Sequence, residues 1–186
     1  MLTADLFLIL AQNVVFSELL GLPSLAETGR RGKGLIRSGV LVLLFCTAGA
    51  GALCGLRMLM PSQYERLLFP LCTAVVCGVL DLLAMLLCRI LSSRIAAAAA
   101  PWIHAAAFSS AVLGTLLHST DYTHAVSVAF RYGFRLGGGY FLVCVLLRLA
   151  APVLFSEKMP AAVRGWRGIF LYAALLAMAG ACMFPS

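Results

Sequence analysis

Two ionisable side chains interrupt long apolar runs of this sequence, and they are its best candidates for chemistry. Asp81 stands in the middle of VVCGVLDLLAMLL, and His104 stands in WIHAAAF. An ionisable residue inside an apolar span is costly to bury, so it commonly serves ion or proton handling, and histidine is a common proton carrier. The competing interpretations are a protonated Asp81 in an interhelical hydrogen bond and a His104 hydrogen-bonded in the core.

Polar residues also occur in the first apolar run and in the run WIHAAAFSSAVLGTLLH, from Trp102 to His118, which follows the helix-breaking Pro101. Small polar residues and glycines at membrane depth are tolerated where the backbone faces protein or a cavity, so this second run predicts a broken helix. Hydrogen bonding between helices explains the polar residues of the first run equally well, and Glu18 is close enough to the end of that run to be solvated. Besides Asp81 and His104, the candidate site-lining residues are Asn13, Glu18, Ser109, Ser110 and Gly114.

The composition assigns the chain to the membrane proteins. Of its 186 residues 62% are hydrophobic and 11% charged, and the mean hydropathy is +1.01; the apolar share of a soluble domain is about 45–50%. A membrane-spanning helix takes about 20 residues. We therefore predict an all-α integral membrane protein, a single domain over 1–186, with six transmembrane helices at Leu6–Leu22, Leu35–Leu59, Leu67–Ile90, Ile95–Leu117, Ala125–Leu149 and Gly168–Met183.

The basic residues orient these spans. Most of the 14 Lys and Arg fall in the first, third and fifth loops, namely Arg30, Arg31, Lys33, Arg37, Arg89, Arg94, Arg148, Lys158, Arg164 and Arg167. Basic loops stay in the cytoplasm, so the first, third and fifth loops are predicted to be cytoplasmic. In a chain of six spans this places both termini on the outer side. The net charge of +7 is thus an orientation signal, and we expect no nucleic acid partner.

The first and fourth spans share a weak internal sequence similarity. Asn13–Gly21 (NVVFSELLG) and Ser109–Gly114 (SSAVLG) each place polar residues ahead of an apolar stretch that closes on glycine. The two segments are three spans apart. Because this number is odd, the second segment has the opposite orientation in the membrane. This internal similarity predicts two inverted three-helix repeats, about 1–92 and 93–186, with interrupted helices 1 and 4.

Four longer segments carry a resemblance to a known family. LLGLPSLAET, FSSAVLG, YGFRLGGGYF and PAAVRGWRGIFLYAALLAMA resemble, in order and spacing, the small six-helix subunits of the Rnf/Nqr family, the RnfA and NqrE type in particular. The resemblance spans nearly the whole chain. It implies a non-catalytic subunit of an ion-translocating electron transport complex, working with NADH, ferredoxin or quinone in the bacterial inner membrane. It also implies an oppositely oriented RnfE/NqrD-like partner and other Rnf/Nqr-type subunits.

The sequence departs from that family at two positions. In the family that this chain resembles, the two corresponding segments read roughly L-L-G-L-C-P and T-N-C-A-V-L-G. The cysteine of each segment helps to hold a [2Fe–2S] cluster that is shared with the partner subunit. Here Pro23 directly follows Leu22, and Ser110 stands at the second cysteine position. Iron–sulfur clusters require thiolates almost without exception. We therefore expect this chain alone to bind no cofactor and no metal.

Three functional interpretations stay open at this point. The first is a subunit that supplies scaffold and ion pathway to an Rnf/Nqr-type complex without its own cluster ligands. The second is a diverged relative that acts outside electron transfer, as a transporter or an assembly factor. The third is a cluster rebuilt on Cys72, Cys77 or Cys144, which lie on other helices. The sequence contains no catalytic motif of a self-contained enzyme.

Overall fold

The computed structural model describes residues 34–58, 65–118, 125–156, 159–160 and 163–183, and within these ranges all regular structure is helical. The described residues form six helices: α1 (Leu35–Met58), α2 (Glu65–Leu91), α3 (Ser93–Ala107), α4 (Ser110–His118), α5 (Val126–Leu154) and α6 (Trp166–Met183). The first predicted span, with Asn13, Glu18 and Pro23, lies outside the described residues.

Within the described residues, four stretches are long and apolar enough to cross a membrane. They are Leu35–Met58, Leu68–Leu91, Ala99–His118 and Val126–Leu154, and Arg167–Leu176 is a shorter apolar helix. Helices suit this composition because every backbone N–H and C=O must find its partner within the chain in lipid. The structure thus confirms a helical protein of membrane type, with helices close to five of the six predicted spans.

The lipid-type surface is clearest on α2. Leu82, Leu86, Leu87 and Ile90 are all exposed. In a soluble protein a patch of this kind would mark an interface or an aggregation site. Here it agrees with the composition, because the surface of a membrane span is as apolar as its core.

Helix α1 is the centre of the packing, and it contacts α2, α3, α4 and α5. Its contact with α5 is the most extensive of all helix pairs in the described structure. The side chains buried between α1 and its neighbours include Val42, Cys46, Val112, Leu116, Tyr140 and Val143.

Two glycines of α5 allow it to approach the α1 backbone. A Cβ atom at Gly133 would lie 2.4 Å from the Cys46 carbonyl oxygen, and one at Gly137 would lie 2.8 Å from the Leu43 Cα atom. Three consecutive glycines, Gly137 to Gly139, can either weaken a helix or permit close contact. Helix α5 runs unbroken from Val126 to Leu154, so the glycines do not interrupt it. At Gly137 the missing side chain instead permits close contact with α1.

The interruption of the fourth span occurs between α3 and α4. Helix α3 passes through Pro101 and ends at Ala107, and α4 begins at Ser110. The predicted broken helix is therefore confirmed, with its break at Phe108 and Ser109. Pro101 lies inside α3 and Gly114 lies inside α4, so neither residue forms the break itself.

Candidate functional site

The break is closed by groups of the chain itself. The Ser109 hydroxyl accepts a hydrogen bond from the backbone N–H of Val112 at 3.3 Å, and the Ser109 carbonyl accepts one from Leu113 at 3.1 Å. On the other side, the Phe108 N–H donates to the His104 carbonyl at 3.2 Å. Ser109 therefore caps the N-terminus of α4, since a serine at this position satisfies an amide that has no partner within the helix. Its side chain is buried.

Asp81 and His104, which the sequence offered as separate candidates, meet in the structure. The Nδ1 atom of His104 lies 2.7 Å from Oδ2 and 2.9 Å from Oδ1 of Asp81. The two side chains differ in accessibility: that of Asp81 is 10% exposed and that of His104 is 51% exposed. The pair thus has a buried carboxylate end and an open imidazole end, and we call it the Asp81–His104 pair.

The connection between α2 and α3 explains why these two residues meet. Only Ser92 separates the two helices, and its N–H donates to the Cys88 carbonyl at 3.0 Å. Asp81 lies ten residues before the end of α2, and His104 lies eleven residues after the start of α3. At the rise of an α-helix these are axial distances of about 15 and 16 Å from the turn. The two side chains therefore reach the same level of the hairpin.

The break adds a second electrostatic contribution at His104. His104 lies in the last turn of α3, so the helix ends directly beyond it. The carbonyl end of a helix carries partial negative charge and favours a cation in its last turn. Asp81 contributes a carboxylate at the same imidazole. The break therefore ends a helix inside an apolar span, directly beyond the Asp81–His104 pair.

No family model and no curated protein matches this chain. Function is therefore inferred from the geometry of the Asp81–His104 pair and its surroundings, together with the resemblance seen in the sequence.

The remaining predicted site residues have separate positions. Ser110 is exposed at the first residue of α4, and Gly114 is half-buried one turn later. The two hydrogen-bond contacts of the Asp81–His104 pair join those two side chains to each other.

A buried polar contact that the sequence did not indicate joins α1 to α4. The Cys46 thiol donates to the Thr115 hydroxyl at 3.6 Å, and that hydroxyl donates to the Ala111 carbonyl at 2.7 Å. Thr115 occurs singly in an apolar segment, and such a threonine commonly bonds within its own helix. Nothing in the sequence pointed to Cys46 as its neighbour. The contact fixes the second half of the broken helix against α1.

The thiols proposed for a rebuilt cluster lie on two helices, Cys72 and Cys77 on α2 and Cys144 on α5. Cys77 and Cys144 are buried and Cys72 is half-buried. Within the described part of the chain, no three His, Cys, Asp or Glu side chains come together as a possible metal site. The rebuilt cluster stays a prediction.

The chemistry open to the Asp81–His104 pair is the binding and transfer of a small cation. A carboxylate and an imidazole in direct hydrogen-bond contact share the proton of that bond, and half of the imidazole side chain is exposed. Such a pair inside an apolar span is costly to maintain. Its presence therefore favours a functional role over simple packing.

Proposed function

We propose that this chain is a non-catalytic membrane subunit of an Rnf/Nqr-type complex that couples electron transfer to ion translocation. It contributes an ion-handling site and part of the membrane scaffold, and it supplies no ligands to an iron–sulfur cluster. The observation that carries this proposal is the direct contact of Asp81 and His104 inside two apolar helices, next to the break in the second of them.

The physical support comes from the cost of such a site. Ionisable side chains in membrane spans are expensive and usually mark proton or ion pathways. Interrupted helices are the usual places where membrane proteins bring helix ends to bound ions. The pair and the break occur together here, because His104 stands in the last turn before Phe108.

The proposal includes a specific arrangement in the membrane. We place six spans in the bacterial inner membrane as two inverted three-helix repeats, with both termini outside and an oppositely oriented RnfE/NqrD-like subunit alongside. The basic loops support the orientation, and the internal sequence similarity supports the repeats. The exposure of His104 and Ser110 supports a covering subunit with a water-filled cleft at this face, because polar groups in the hydrocarbon region are normally shielded by protein or water.

A second candidate function is transport or assembly without electron transfer. The capping of α4 by the Ser109 hydroxyl favours it, because the break is closed without a cysteine at Ser110 and so without a cluster. This candidate keeps the same ion-handling pair and drops the redox partners.

Purification from native membranes separates the two candidates. The chain, carrying a C-terminal affinity tag, is extracted in mild detergent, and the proteins that accompany it are identified by mass spectrometry. An unrelated multi-span protein with the same tag, expressed at a matched level, is the control. We expect flavoprotein and iron–sulfur subunits specifically with this chain. Recovery of the chain alone, or with transport proteins only, would reject the redox complex and favour the second candidate.

A further inference from the structure

The two ends of the Asp81–His104 pair differ in access, and this difference gives the pair a direction. The Asp81 carboxylate is largely enclosed, whereas half of the His104 side chain is exposed. Both carboxylate oxygens lie within 2.9 Å of Nδ1, so the exposed imidazole is in direct contact with the enclosed carboxylate. The second ring nitrogen, Nε2, is on the edge of the ring that faces away from Nδ1.

The donor atoms also limit what the pair can carry. Asp81 is the only acidic residue of α1 to α4 apart from Glu65, which is the first residue of α2 and lies 16 residues away. The other titratable side chains of α1 and α2 are five thiols and, near the helix ends, four arginines: Cys46, Cys54, Cys72, Cys77, Cys88, Arg37, Arg57, Arg66 and Arg89. Hard cations such as sodium favour several oxygen ligands. One carboxylate already engaged by an imidazole suits a proton instead.

We infer that the cargo of this site is a proton, which enters at Nε2 of His104 and is stored on Asp81. This deepens the proposed function and rests on it for the role in translocation, but proton binding itself is a property of the single chain. In a low-dielectric span the pair avoids net charge. The empty pair, with a carboxylate and a neutral imidazole, carries a charge of −1 and becomes neutral when one proton arrives.

The proton balance of loading is simple. The empty pair has its imidazole proton on Nδ1, donated to Asp81. A water or hydronium at the exposed ring edge adds one proton to Nε2, and the Nδ1 proton passes to the carboxylate. The loaded pair is a neutral carboxylic acid beside an imidazole that carries its proton on Nε2. One proton is taken up and one is stored, and release reverses the same two transfers.

The test uses the purified full chain in lipid nanodiscs with a rapid pH jump. Infrared difference spectra should show the C=O band of a protonated carboxylic acid, and this band should be absent in Asp81→Asn. In His104→Asn the side-chain amide keeps a donor near the position of Nδ1 but removes Nε2. We expect the Asp81 band to rise about a hundredfold more slowly in that variant, the size of effect typical of a positioned proton carrier. His118→Asn, which changes a histidine at the end of α4, is the matched control and should keep the wild-type rate.

A measurement on the wild type covers the case in which His104→Asn does not fold. Nitrogen NMR of histidine-labelled protein should show the His104 proton move from Nδ1 to Nε2 on loading. Unchanged uptake in a folded His104→Asn, a fixed histidine tautomer, or an Asp81 band that responds to sodium at constant pH would each overturn the inference. These outcomes leave the redox complex itself untouched, because its subunits are identified separately by purification.

Discussion

Replacing Gly133 by alanine should push α5 away from α1. The new methyl group would lie 2.4 Å from the Cys46 carbonyl oxygen and 2.9 Å from the Ala50 Cβ atom. A carbon and a carbonyl oxygen normally stay about 3.3 Å or more apart, so the helices must separate by about 1 Å. The obstacle is backbone, which cannot rotate away, so we place the overpacking cost near the upper end of about 1–3 kcal/mol. Alanine returns about 0.5–1 kcal/mol of helix propensity, leaving a net loss of about 1–2 kcal/mol in the free energy of unfolding.

Gly138→Ala is the matched control on the same helix. Its nearest neighbouring atom, Leu43 Cδ1, would be 4.0 Å from the new methyl group, so this variant gains the propensity without the clash. Unfolding in mixed detergent and SDS micelles, followed by circular dichroism, measures both variants. We expect Gly133→Ala to be the less stable of the two by about 2–3 kcal/mol, which is the overpacking cost alone because both variants gain the same helix propensity. Equal stability would refute the α1–α5 packing described above.

Three further predictions concern the break, the orientation and the cofactor. Ser109→Ala should lower the free energy of unfolding by about 0.5–2 kcal/mol through loss of the α4 cap, whereas Ser109→Thr keeps the hydroxyl and should cost less in the same titration; equal effects would show that the cap is not what matters. Reporter fusions truncated at Ser92 should be active in the cytoplasm and fusions at Ala125 outside, as the basic loops require, and the reverse pattern would overturn the orientation. The chain purified anaerobically should contain no stoichiometric iron by metal analysis and no [2Fe–2S] signal by electron paramagnetic resonance; a cluster that survives in Ser110→Ala would show that other residues hold it.

The sequence was most informative about the helices. Five of the predicted apolar spans match the six described helices closely, with α3 and α4 together forming one span, because span length is set by the thickness of the bilayer and needs no tertiary information. The break was also predictable, since Ser109 and Ser110 are polar residues that a simple span would not need. Its position relative to Pro101 was not, because neighbouring helices can support a proline within a helix at membrane depth.

The meeting of Asp81 and His104 was harder to see in advance. It depends on the single-residue connection at Ser92. With so short a turn, residues at nearly equal distances before and after it lie side by side on α2 and α3. The predicted spans end at Ile90 and resume at Ile95, which does not fix the length of the connection, and a longer one would have shifted the register. The contact between Cys46 and Thr115 depends on the packing of α1 against α4, and no local pattern encodes that.

Ion uptake per electron transferred tests the central claim most directly. Inverted membrane vesicles that contain the proposed complex are supplied with NADH, and electron transfer is recorded together with proton and sodium uptake. For Asp81→Asn we predict a ratio of ions to electrons as low as in vesicles lacking this chain, because the carboxylate that holds the ion is gone. Leu82→Ala, which changes the neighbouring exposed side chain, should keep the wild-type ratio. An unchanged ratio in Asp81→Asn would contradict the account, because ions would then cross without the Asp81–His104 pair.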